Sequence, residues 1–171
     1  MVFVSLRKLQ LFCRLWIYVS VLLLLFSSQP LFAGTWADVE ALKNELKQIG
    51  TSTVDNNCDD KETLSYYEYE ESKTDRITIC INNIDKDSSD EYWESLAHET
   101  AHVMQACTGD YALNDNYISR AYRELKVINP TSIDDIGLYG SWNKRQEIEA
   151  RWMEFQPPSE VITLLQENCR Q

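Results

Sequence analysis

Apolar residues recur at Val39, Leu42, Leu46 and Ile49, three or four positions apart, which is the spacing of one face of a helix. A helix is therefore predicted over residues 36–49, with Gly50 as its stop. Residues 51–62 are polar and turn-rich. The period then shortens. Residues 64–70 and 76–81 are rich in aromatic and β-branched side chains and flank a polar turn at 72–75, the signature of a β-hairpin. In RITICI, Ile77, Ile79 and Ile81 alternate with Arg76, Thr78 and Cys80, so one face of that strand should be buried.

Helical periodicity returns after the polar loop NNIDKDSSD. Ser88 and Glu91 have the spacing of a capping box, and a helix is expected from about Asp90 to Cys107, ended by Gly109. Trp93, Ala97, Thr100, Met104 and Cys107 form its apolar stripe. A second helix is expected over 115–127, with Tyr117, Ile118, Ala121, Tyr122 and Leu125 inward and Pro130 beyond it. TSIDDIGLYGS reads as a loop. A third helix is expected over 142–155, broken by Pro157 and Pro158, and a last one to about Asn168, capped by Ser159. Helix, two or three strands, then several helices make an α+β chain with a small antiparallel sheet packed against the helices.

The first 33 positions follow a different pattern. Arg7, Lys8 and Arg14 accompany an apolar run at 15–26 that ends in a polar stretch and the small residue Ala33. A basic region, a short apolar core and a small residue at the cut describe a signal peptide. The run is shorter than the ~20 residues that span a bilayer. Cleavage after Ala33 fits best, with Ala37 second, leaving one domain at 34–171 that is secreted or periplasmic and has no stable membrane association. Losing three basic and no acidic residues takes the net charge from −11 to −14. A surface of that sign repels phosphate backbones, so no nucleic-acid partner is expected.

Cys13 lies in the leader, and the remaining Cys58, Cys80, Cys107 and Cys169 are an even number in a small exported chain, as a disulfide framework requires. Cys58 and Cys80 flank the hairpin, and Cys107 and Cys169 each end a helix. The favoured pairing is Cys58–Cys80 with Cys107–Cys169. No two cysteines have the close spacing of a zinc knuckle.

Both histidines of the chain stand in LAHETAHVMQ. His98-Glu99-Thr100-Ala101-His102 places two imidazoles at i and i+4, on one face of the predicted helix. They can reach one zinc ion at about 2.0–2.1 Å each. Glu99 is rotated by about 100°, off the ligand line but within reach of a water at the metal, where a general base belongs. Gln105, one turn beyond His102, can orient a ligand from outside.

With no further histidine, the third ligand is expected to be a carboxylate. WNKRQEIEARWMEF offers Glu147 and Glu149, about 200° apart around a helix, so only one can face the metal. Glu147 can form ordinary surface pairs with Lys144 and Arg151. Glu149 has Trp142, Trp152 and Met153 on its flank, where a carboxylate is costly unless paired. Glu149 is therefore the expected ligand and Glu147 the alternative.

HETAH followed by EIEAR resembles the gluzincin branch of the zincin metallopeptidases, to which thermolysin belongs. The 47 positions between His102 and Glu149 exceed the thermolysin spacing, and the 115–127 helix fills the difference. The resemblance implies zinc held by His98, His102 and Glu149, with Glu99 as general base and RITICI as the edge strand lining the substrate cleft. It further implies hydrolysis of peptide bonds, with a peptide or protein as substrate. DDIGLYG also resembles the Asp-x-x-Tyr-Gly signature of aspartate-ligated zincins such as deuterolysin, which makes Asp135 a rival ligand, although its spacing to Tyr139 is one residue too long. The absence of a third histidine argues against metzincins.

Such a mechanism needs a donor to the developing oxyanion besides zinc. Tyr139, just before the ligand helix, is the candidate; packing against Trp142 is the competing role for that ring. Two further classes remain open, a zinc-holding binding module without turnover and a disulfide-stabilised domain without metal. Glu99 favours the enzyme, since a structural site needs no base there and would carry a fourth protein ligand.

Overall fold

A computed structural model describes residues 34–69, 75–137 and 140–170, and the backbone alone of Ser141 and Trp142. The expected leader, most of the hairpin turn and Tyr139 lie outside the described residues. The elements in chain order are α1 (Trp36–Gln48), β1 (Ser52–Asn56), β2 (Ser65–Glu68), β3 (Arg76–Cys80), α2 (Ser89–Thr108), α3 (Asp115–Ile128), α4 (Pro130–Ile136), α5 (Ser141–Met153) and α6 (Pro158–Cys169). Among the described residues, no helix is long and apolar enough to cross a membrane.

The α+β class is as expected, but the sheet is mixed. Its order is β1-β3-β2, with β3 parallel to β1 and antiparallel to β2. Strand β1 was not expected, because STVDN buries little of itself and is a strand by virtue of its ladder to β3. The partner strands make RITICI the central strand rather than an edge. Ile77, Thr78, Ile79 and Cys80 are all buried, so both faces of the strand are covered and not one.

Helix α2 is the axis of the molecule. It packs against α1, β2, β3, α5 and α6, and Trp93, Leu96, Ala97, Ala101 and Met104 on it are wholly buried. Ser88 caps it, accepting from the Glu91 amide at 3.3 Å. The return half of the box is not made: the Ser88 amide is taken by the Asp85 carbonyl, and the Glu91 carboxylate accepts from the Asp85 amide instead. Gly109 ends the helix at φ 71°, a left-handed conformation that a side chain disfavours.

Two further differences follow from local chemistry. TSIDDI is not a loop but lies in α4, which Asn129 caps by accepting from the Ser132 amide and which Pro130 starts with its preset φ. Ser159 lies inside α6, which starts at Pro158 and has no side-chain cap. Helix α3 buries only Ala121 and Leu125; Tyr117 and Tyr122, expected inward, are exposed. The disulfides are Cys58–Cys80 and Cys107–Cys169, as expected; the second ties the end of α2 to the end of α6.

Candidate metal centre

Helix spacing delivers the histidine pair. The His98 and His102 rings stand edge to face with centroids 5.1 Å apart, each only partly exposed. The third member comes from α5, which packs across α2, and it is Glu147. Its Oε2 lies 3.8 Å from His98 Nε2 and its Oε1 lies 3.8 Å from His102 Nε2. One ligand atom from each of His98, His102 and Glu147 lies within 4.8 Å of the others.

Glu149, the expected ligand, is directed elsewhere. It is fully buried, as its apolar flank demanded, and it is paired. Its Oε2 accepts from the Ala112 amide at 2.9 Å and from Gln105 Nε2 at 3.1 Å. Its Oε1 accepts from the Leu113 amide at 3.2 Å and lies 3.5 Å from Arg145 Nε. Burial raises its pKa, and these hydrogen bonds pull against that rise. The reasoning that a buried carboxylate needs a partner holds, but backbone amides of the segment after α2 meet the need. Asp135, the rival ligand, sits exposed on α4 and is not part of the histidine group.

The donor set fits a metal ion through its hydrogen bonds. His98 Nδ1 is 2.7 Å from Glu154 Oε1. With Glu154 ionised, as the Arg151 guanidinium that donates to the same oxygen favours, its carboxylate accepts, so Nδ1 carries the proton and Nε2 keeps its lone pair. His102 Nδ1 is 2.8 Å from Gln105 Oε1. The Gln105 amide nitrogen donates to Glu149 and to the Gln146 carbonyl, so its oxygen is the acceptor and His102 takes the same tautomer. Both Nε2 lone pairs thus face the Glu147 carboxylate. Burial pushes the His98 pKa down to about 4, favouring the neutral imidazole that binds metals. Burial pushes Glu154 up to about 7, with Arg151, which donates to it at 3.1 Å, pulling the other way.

Glu99 lies beside this group and is 4 % exposed. Its Oε1 accepts from Ser65 Oγ of β2 at 2.7 Å. An open cleft of about 750 Å³ runs from the histidines past Tyr66, Tyr67, Tyr69 and Glu147. A second hollow of about 510 Å³ is lined by Leu64, Glu94 and Glu154. Ser65, His98, Glu99 and Arg151 line both. The strand bordering the cleft is therefore β2, whose far side pairs with no strand among the described residues, and not RITICI.

Gln105 stands where it was expected. Ser65 and Glu154 were not foreseen. Ser65 is 34 positions from the Glu99 it touches, and nothing local announces the contact. Glu154 had a signal, since it lies seven positions, or two turns, after Glu147 on the same helix face, but choosing Glu149 turned that face away. No family model, no curated protein and no solved structure matches this chain.

Proposed function

We propose that this protein is a zinc-dependent peptidase of zincin type. The observation that carries the reading is the convergence of two free Nε2 atoms and one carboxylate beside a glutamate in an open cleft. Two imidazoles and one carboxylate, with a position left for a small molecule, are the donor set of catalytic zinc. The three-member group has no fourth His, Cys, Asp or Glu among the described residues, which argues against a closed structural site.

When bound, zinc would act as a Lewis acid, polarising a carbonyl and making water acidic. The chain's own residues do the rest. Glu99 takes the proton of the attacking water as the new C–O bond forms, then gives it to the amine as the C–N bond breaks. Glu154 and Gln105 hold the imidazoles in one tautomer and one orientation. Arg151 brings guanidinium donors to both halves of the cleft, where negative charge develops. The edge of β2 away from β3, which no strand among the described residues covers, is suited to an extended peptide, since such an edge offers amides and carbonyls to a second strand.

The test is metal content together with hydrolysis of a broad peptide library. Purified protein is expected to carry one equivalent of zinc, and Glu99→Gln should keep that metal while losing about 10²–10⁴-fold in rate. Zinc without cleavage in either protein would assign the site to a non-catalytic binding module. Equal cleavage by both would place the base elsewhere.

A further inference from the structure

We infer that Ser65 is a positioning residue for Glu99, so that the strand bordering the cleft also holds the general base in place; this rests on the peptidase reading above. Ser65 opens β2 and pairs with Ile79 of the central strand, so its place is set by the sheet. Its Oγ donates to Glu99 Oε1 at 2.7 Å and lies 3.5 Å from the Ser95 carbonyl, one turn earlier on α2. A hydrogen bond to a carboxylate is among the strong ones.

Glu99 needs such a tether. Its side chain turns about three bonds, and among the described residues its carboxylate has no other hydrogen-bond donor. Fixing Oε1 leaves Oε2 to the cleft. Ser65 and Glu99 line both the cleft and the adjoining hollow, so the contact sits where the two share a wall, beside His98. Misplacing a reacting group by about 1 Å can cost 10²-fold, and the Ser65 hydroxyl removes that freedom without touching the reacting atoms.

The experiment compares zinc-loaded wild type, Ser65→Ala, Ser65→Thr, Glu99→Gln and the Ser65→Ala/Glu99→Gln double variant on one cleaved peptide. Ser65→Ala is expected to lower kcat about 10- to 100-fold with KM within about twofold and zinc affinity unchanged. Ser65→Thr, which keeps the hydroxyl, should recover most of the rate. In the Glu99→Gln background Ser65→Ala should change nothing further, because the group it positions is gone. Unfolding of the metal-free full chain gives a readout independent of turnover: Ser65→Ala and Glu99→Ala should be less than additive. Wild-type kcat in Ser65→Ala, or an equal loss in both backgrounds, would overturn the inference, as would strict additivity in unfolding. If wild type cleaves no peptide, the peptidase reading falls and the positioning role with it; additivity in unfolding removes the contact alone.

Discussion

Glu147 and Glu149 are two residues apart and have unrelated roles, and single substitutions should separate them. Glu147→Ala removes one of the three candidate ligands from a partly exposed position, so it should abolish zinc binding in a metal titration while leaving the stability of the metal-free protein within about 0.5 kcal/mol. Glu149→Ala should do the reverse. It strands the buried Ala112 and Leu113 amides and an Arg145 partner. Unsatisfied buried groups cost about 1–3 kcal/mol each, so the expected loss is about 3 kcal/mol or more by denaturant unfolding. Glu149→Ala should still bind zinc, about 10- to 100-fold more weakly, because Gln105 loses the group that fixes its orientation against His102. Helix geometry told from the sequence that these two glutamates face apart and that one must be buried and paired. It did not tell which face of α5 meets α2.

At the scale of elements, the molecule depends on how α2 is held. Its last turn is bonded through Cys107 to the end of α6, closing a separation of 62 residues, against 22 for Cys58–Cys80. Chain-entropy arguments put these crosslinks at about 4 and about 3 kcal/mol. The Cys107→Ser/Cys169→Ser protein should therefore be the less stable of the two double variants in denaturant unfolding without reductant. Helices α1 and α2 were legible because their apolar periods match their burial, and the β2–β3 pair because aromatic and β-branched runs flank a polar turn. Strand β1 was not, since exposed Asp55 and Asn56 carry no strand pattern and only the β3 ladder makes them one. Placing β1 and β2 on either side of β3 also explains why RITICI is buried on both faces, which alternation alone had halved.

For the whole molecule, a zinc ion bound at the proposed site should stabilise the fold. The three ligands come from two helices that pack together, and the unfolded chain does not hold them in place. Zinc at about 100 times its dissociation constant should add about 2.7 kcal/mol, raising the unfolding temperature by roughly 5–10 °C for a domain of this size. A chelator should reverse the rise in wild type and do nothing in Glu147→Ala, as calorimetry can check.

The linear chain alone determined whatever depends on neighbours a few residues apart. His98 and His102 share a face because they are four apart on a helix. Glu99 is turned aside from them by one residue of rotation, and Gln105 follows at one turn. The pairing of the four cysteines was only a favoured choice in the sequence, and contact between segments 22 and 62 residues apart decided it. Tertiary structure decided what depends on contact between distant segments: Glu147 rather than Glu149 at the centre, Glu154 behind His98, Ser65 against Glu99, and β2 rather than β3 at the cleft. Periodicity gives the phase of a helix or strand about its own axis. It does not give the rotation at which that element docks on another, and turning α5 by half a turn exchanges a candidate metal ligand for a buried brace.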